Sequence, residues 1–161
     1  LFAGIRFPKG QIYEDLATTP IIASRADKIA FCDLKDYFYF IRDNSIMTSK
    51  GDIEDLIIFN ILDELEKYFC DYKDIVKSIK IRKLRDAFMT LYKFKDNLDD
   101  LSRDALIKMD KIIKNNSMIA LKDKNSKTQD RIGVIIYNLL GLKAYLKFRE
   151  IALWVRKNTS K

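Results

Sequence analysis

Apolar residues recur three or four positions apart along most of this 161-residue chain, and this spacing constrains its fold more than any other feature. Such a period places apolar side chains on one face of an α-helix, whereas a half-buried strand needs strict alternation. The clearest row comprises Ile53, Ile57, Ile61, Leu65 and Tyr68, with Ile58, Leu62 and Phe69 beside it. With five Gly and two Pro, the chain also has little material for the tight turns of a β-sandwich. The sequence therefore predicts an all-α fold.

An extended N-terminal arm precedes the predicted helices. Residues 1–19 show no sustained period and contain Gly4, Pro8 and Gly10. Thr19 followed by Pro20 predicts a helix start, because Thr can cap a helix and Pro at the first helical position loses an N–H that had no partner. We therefore expect an arm over residues 1–19 and one helical bundle domain, of about five helices, over residues 20–161.

Turn and capping residues predict where the helices begin and end. The first helix would end at Asn44-Ser45, and the second would follow Ser49 and Asp52. Asp71 would begin a third helix, whose apolar phase slips near Lys80 to Arg82 and so predicts a bend or break. A fourth would follow Asp99 or Ser102 and stop at Asn115-Asn116, and the charged segment 121–127 would be a loop.

The last helix is apolar in two registers at once. Ile132, Ile135 and Leu139 begin one face, and Ile136 and Leu140 begin another. A helix that is apolar nearly all round is a buried one, so we expect this C-terminal helix at the centre of the bundle. The helix-disfavouring Gly133 and Gly141 within it suggest close approach of a neighbouring backbone.

The composition excludes several kinds of chemistry. The chain has no His, which removes Ser-His-Asp and Cys-His catalysis and every His-bearing metal site. Two cysteines, Cys32 and Cys70, are too few for a disulfide scaffold and predict a reducing, cytoplasmic location with both thiols packed in apolar surroundings. The longest uncharged run, Ile132 to Leu142, is about half of a membrane span, so we expect no transmembrane segment. A start at Leu1 instead of Met is typical of a processed or truncated chain.

Charge is divided unevenly along the chain. Residues 1–72 carry 8 Lys or Arg against 13 Asp or Glu, while residues 73–161 carry 22 against 10. The net charge of +7 therefore combines an acidic part with a strongly basic part. Three explanations fit this division: the basic part faces an anionic partner, the acidic part docks on the basic part, or a genome-wide bias toward Lys produces the same count.

Two basic sets are candidate binding sites for a nucleic acid or another anionic partner. The first consists of Lys77, Lys80, Arg82, Lys83 and Arg85. The second, near the end of the chain, consists of Lys143, Lys147 and Arg149, with Arg156, Lys157 and Lys161 after them. Cations along helix faces can neutralise phosphates, but a solvated helix face gives the same pattern.

For other polar and aromatic groups, packing or solvation explains the pattern as well as a functional role does. Asp63 and Glu66 share a helical face as metal-binding carboxylates do, yet a solvated acidic face or a complement to the basic helices is favoured, and we expect no metal. In the run Tyr37 to Phe40, Phe38 is expected to face the core and Tyr39 to be exposed. Trp154 is the sole Trp, and if exposed it would mark a partner-binding anchor.

No catalytic constellation or cofactor motif emerges, so we expect no enzymatic activity and no cofactor. Small all-α domains without a catalytic constellation usually act by presenting a binding surface to another molecule. The favoured hypothesis is a non-catalytic binding or scaffolding module that docks on a partner protein or on a second copy of itself. The alternative is nucleic-acid binding, to RNA or DNA, through a basic face built from residues 77–85 and 143–157.

Overall fold

The computed structural model describes residues 2–38, 40 and 53–159. Within these residues it contains five α-helices and no strand: α1 (Glu14–Ser24), α2 (Ile57–Tyr68), α3 (Lys73–Lys93), α4 (Arg103–Lys122) and α5 (Thr128–Thr159). Short 3-10 turns, Ile53–Leu56 and Leu98–Asp100, precede α2 and α4. The all-α prediction, with five helices, is confirmed. The chain forms two compact units, residues 1–61 and residues 62–161.

The first helix begins earlier than predicted. α1 starts at Glu14, whose charge and that of Asp15 favour the positive end of the helix dipole, and Pro20 lies inside the helix. The prediction that the helix begins at Pro20 is therefore wrong, and the arm covers residues up to 13 only. In this first unit, the Tyr13 hydroxyl donates a hydrogen bond of 2.9 Å to the buried Asp55 carboxylate.

The predicted continuation of that first helix is also wrong for the described residues. Residues 26–38 and 40 adopt neither helix nor strand, and Leu34, Tyr37 and Phe38 are exposed instead of facing a core. The apolar period is present, but helix propensity without a surface to cover does not hold a helix in water. Tyr39, the Asn44-Ser45 stop and the Ser49 and Asp52 cap lie outside the described residues.

The second unit is built on packing among α3, α4 and α5. Its core includes Leu84, Phe88 and Leu91 of α3, Met109 and Ile113 of α4, and Val134 and Tyr145 of α5. Ser102 caps α4 by accepting a 3.1 Å hydrogen bond from the Ala105 N–H, which confirms one of the two predicted starts. The predicted break in α3 is absent, and α4 continues past Asn115-Asn116 to Lys122, so these two predictions are wrong.

The last helix differs from the expectation of a fully buried central element. α5 is interrupted at Gly141, which has φ 82° and ψ −176°, a conformation outside the helical region. Val134 and Tyr145 are buried, yet Leu139, Leu140 and Trp154 are exposed. The bend at Gly141 interrupts the packing of the apolar face of α5. Only some of the apolar side chains that the sequence predicts to be buried are therefore buried.

Candidate functional site

The first predicted basic set lies on α3, and we call it the α3 basic cluster (Lys77, Lys80, Arg82, Lys83 and Arg85). Every cation of this cluster pairs with a carboxylate of the same unit. The pairs are Lys77 Nζ with Asp123 Oδ2 at 2.5 Å, Lys80 Nζ with Glu66 Oε1 at 3.5 Å, Arg82 Nε with Asp86 Oδ2 at 2.7 Å, Lys83 Nζ with Asp63 Oδ1 at 2.7 Å and with Glu66 Oε2, and Arg85 Nη2 with Asp130 Oδ2 at 2.6 Å. The carboxylates come from α2, from α3 itself, from the loop after α4 and from the first turn of α5. The cluster is thus largely neutralised within the chain.

Lys83 is the most enclosed of these cations. Its side chain is 9% exposed, and Asp63 and Glu66 of α2 both contact its ammonium group. Burial lowers the pKa of Lys83, but the hydrogen bonds to the two carboxylates outweigh burial and leave the pKa raised. Lys83 therefore stays charged, which suits a structural ion pair and not a catalytic base. Of the two open interpretations of Asp63 and Glu66, the structure shows the complement to a basic helix.

The pKa values of two other paired carboxylates, Asp86 and Asp123, are shifted in opposite directions. Burial raises the pKa of Asp86 although the Arg82 and Arg85 guanidinium groups oppose the shift. The ammonium group of Lys77 lowers the pKa of Asp123, which also accepts a 2.7 Å hydrogen bond from the Asn125 N–H. Asp123 thereby fixes the start of the loop between α4 and α5 to α3.

The cations of α5 are arranged differently from those of α3. Lys143 and Lys147 are exposed and pair with no described carboxylate. Arg149 is half-buried, and its Nε atom is enclosed without a hydrogen-bond partner in the described part of the chain. The structure therefore does not merge the two predicted basic sets into one stripe of free cations: Lys143 and Lys147 stay accessible, while the α3 set is paired.

An apolar surface continues from these two lysines toward the end of α5. We call Lys143, Lys147, Ile151 and Trp154 the C-terminal face, because intervals of four, four and three residues align them on one side of a helix. Ile151 is 55% exposed and Trp154 is 67% exposed. The apolar spacing of α5 predicts neither the bend at Gly141 nor the exposure of Ile151, whereas the exposed Trp154 is the arrangement expected of a partner-binding anchor.

The glycines of α5 have separate roles. A Cβ atom at Gly133 would lie 3.1 Å from Tyr145 Cε2 and 3.6 Å from Phe88 Cε2, so a pair of stacked aromatic rings occupies the space. The predicted close approach is real at this position, but side chains make it instead of a backbone. Gly141 meets nothing within 4 Å and is required by its positive φ.

A mixed-charge cleft of about 600 Å³ lies among α2, α3 and α4. Its charged lining consists of Lys80, Lys83, Lys108, Lys111, Asp63, Glu66 and Asp104. Cations and carboxylates nearly balance there, and Lys83 is already shared by two carboxylates. The cleft therefore offers little net field to a charged ligand.

The described residues offer no metal site. No group of three or more carboxylate or thiol side chains in residues 2–38, 40 and 53–159 is placed to hold a metal ion. Cys32 and Cys70 are free and exposed, so the expectation that both pack in apolar surroundings is wrong. None of the helices in the described ranges is both long enough and apolar enough to cross a membrane.

Comparison with known proteins adds no further constraint. No protein family, curated protein sequence or solved structure matches this chain.

Proposed function

We propose that this chain is a non-catalytic docking module whose last helix binds a partner protein through the C-terminal face. The observation that carries the proposal is the exposure of Trp154 and Ile151 in helical register with Lys143 and Lys147. Large aromatic groups act as anchors when a partner desolvates them, and contiguous exposed apolar surface is a feature of interaction sites.

The positive charge of the last part of α5 favours a partner with acidic groups. The segment of α5 after Gly141 carries five cations and one carboxylate, Glu150, and that carboxylate is paired with Lys95 at 2.9 Å. An amphipathic helix with acidic flanks would cover Ile151 and Trp154 and place carboxylates beside Lys143 and Lys147. A second copy of the same segment would instead set cations against cations, so charge disfavours self-association through this face.

Nucleic-acid binding is the alternative, and the ion pairs weigh against its main premise. In the nucleic-acid hypothesis, the α3 basic cluster supplies most of the phosphate contacts. Each of its cations, however, already has a carboxylate partner. A phosphate would have to displace those carboxylates. Lys143 and Lys147 alone would contact about two phosphates, whereas proteins that bind a duplex tightly can make about six to ten phosphate contacts.

Photo-crosslinking tests the proposal directly. A photoreactive amino acid replaces Trp154 in the full chain, expressed in cells of its own source, and a second probe replaces Lys124 in the exposed loop as a control. We expect the probe at 154 to form crosslinks to an apolar, acidic helical segment of another protein. The probe at 124 should not form them, and Lys143→Glu with Lys147→Glu should reduce their yield severalfold.

Three outcomes would contradict the proposal. They are crosslinks from position 154 to nucleic acid or lipid alone, equal crosslinks from positions 124 and 154, and a yield that the charge reversal leaves unchanged. The double substitution Lys124→Glu with Lys127→Glu controls for net charge, because both loop lysines are exposed and lie outside the C-terminal face.

A further inference from the structure

A second cavity, of about 440 Å³, lies between the first half of α3 and the end of α4. Four lysines line it: Lys73, Lys77 and Lys80 from α3, and Lys122 from α4. The described lining contains no carboxylate, which distinguishes this cavity from the mixed-charge cleft. Its volume falls within the range of small-molecule sites.

The four lysines differ in how firmly they are held. Lys77 pairs with Asp123 and Lys80 pairs with Glu66, and both carboxylates lie outside the cavity lining. Lys73 and Lys122 are exposed and pair with no described residue. The ammonium groups of Lys77 and Lys80 are thus held by carboxylates outside the lining, whereas Lys73 and Lys122 leave two cations without a described partner beside the cavity, where an anion would meet positive charge without displacing a carboxylate.

The remaining wall is apolar. Val76 and Ile119 line the cavity and are half-buried, and the Cys70 thiol completes the lining. A purely inorganic anion would leave this wall without a contact. A ligand with both a phosphate group and an apolar or ring moiety would use both parts of the surface.

We propose that this cavity binds a small organic phosphate of about the size of a nucleotide, with phosphate oxygens on Lys73 and Lys122 and the organic moiety against Val76 and Ile119. Lysine binds phosphate as a mobile point charge, so the two exposed lysines that line the cavity suit a ligand with several phosphate oxygens, while Lys77 and Lys80 keep their carboxylate partners. The proposal uses different residues from the C-terminal face and does not depend on the docking function.

Cys70 supplies a built-in probe of occupancy. Iodoacetamide, which is neutral, should alkylate Cys70 more slowly when a phosphate ligand fills the cavity, because the ligand covers the thiol and its negative charge disfavours the thiolate. Cys32 is also exposed and belongs to the other compact unit, so it serves as the reference thiol in the same sample. The probes are ATP, AMP, adenosine and inorganic pyrophosphate, each titrated against the full chain.

We expect ATP and AMP to protect Cys70 and leave Cys32 unchanged, whereas adenosine protects neither. Lys73→Gln with Lys122→Gln should weaken ATP binding by about tenfold or more, because the phosphate loses two charge-assisted hydrogen bonds. The control Lys124→Gln with Lys127→Gln removes two exposed loop lysines outside the cavity and should change binding by less than about twofold.

Several results would overturn the proposal. Equal protection by adenosine would remove the role of the phosphate, and protection by pyrophosphate as strong as that by ATP would remove the role of the apolar wall. Equal losses in the two double variants would indicate nonspecific attraction. A single-stranded oligonucleotide that binds more tightly than ATP and is weakened alike by both variants would assign the lysines to a nucleic-acid backbone. Circular dichroism of each variant should match the parent, because the four substituted lysines are exposed.

Discussion

Lys83 illustrates how a residue predicted for a solvent-facing cluster becomes part of the protein interior. The local sequence correctly places it beside Arg82 and Leu84 on a helix. Its partners, Asp63 and Glu66, lie 17 or more residues earlier in the chain, and only packing of α2 against α3 brings them together. Local patterns predict which residues share a helix face, but they cannot predict which carboxylate neutralises which cation.

Replacement of Lys83 tests this pairing. Lys83→Met keeps an apolar stem of similar length but leaves Asp63 and Glu66 without their shared cation, so we expect the free energy of unfolding to fall by about 1 to 3 kcal/mol. Urea denaturation measures the change. Lys67→Met is the matched control, because Lys67 pairs with Glu64 while both side chains are 73% exposed, and such pairs add little stability. Equal effects of the two substitutions would contradict a buried role for Lys83.

The two tyrosines of α5 predict a loss of stability in alkali. Burial raises the pKa of Tyr145 to about 12, and burial together with Asp110 raises that of Tyr137 to about 12, both from about 10. Between pH 10 and 12 the unfolded chain loses these protons while the folded chain retains them, so stability falls as the pH rises through that window. Below pH 10 both states hold the protons and these groups contribute no pH dependence.

Tyr145→Phe tests the assignment because it removes the titrating hydroxyl and retains the ring stacked on Phe88. Urea midpoints at pH 8 and pH 11 should differ less in this variant than in the parent. An unchanged pH dependence would show that Tyr145 does not contribute to it. Absorbance of tyrosinate gives the pKa values independently.

At the scale of elements, the helices with a surface to cover are the ones that periodicity predicts well. The buried row of α2, the Ser102 cap of α4 and the existence of α3 and α5 follow from apolar spacing and capping. Residues 26–38 have comparable spacing but no helix. Tertiary packing decides between these cases, and a local pattern does not contain it.

The bend in α5 depends on one residue whose role the sequence suggests only in part. Gly141 draws attention because glycine disfavours a helix interior, but its φ of 82° is a property of the folded backbone. We expect Gly141→Ala to lower the free energy of unfolding by about 1 to 3 kcal/mol, because this combination of φ and ψ is nearly restricted to glycine. Leu139→Ala, at an exposed position two residues earlier, is the control and should change stability by less than about 1 kcal/mol. A variant at least as stable as the parent would contradict the bend.

At the scale of the whole molecule, the uneven charge has an internal explanation for one of its two basic sets. Asp63 and Glu66 come from the acidic part of the sequence, whereas Asp86, Asp123 and Asp130 come from the basic part itself. The count of charges along the chain predicts that the basic residues need carboxylate partners, but it does not predict which part of the chain supplies these carboxylates. Lys143 and Lys147 have no described carboxylate partner, and this difference between the two basic sets depends on tertiary packing that the sequence pattern does not contain.

Charge reversal in α3 separates a structural role from nucleic-acid binding. Lys80→Glu with Arg82→Glu sets carboxylates against Glu66 and Asp86, so the urea midpoint should fall, whereas Lys124→Glu with Lys127→Glu should leave it nearly unchanged. Binding of a generic single-stranded RNA at low salt should be weak in the parent. Tight, salt-sensitive RNA binding that the α3 reversal abolishes without loss of stability would favour the nucleic-acid alternative.

The proposed docking function requires a C-terminal face that is open in the isolated chain, and Trp154 reports on this face because it is the sole tryptophan. Iodide quenching of its fluorescence over a range of protein concentrations is the most direct measurement. With 67% of Trp154 exposed, we expect emission typical of water and quenching close to that of a free tryptophan derivative, independent of protein concentration. Blue-shifted, protected emission would show that another part of the chain covers Trp154, and protection that grows with concentration would show that a second copy covers it; either result would contradict a face available to a partner.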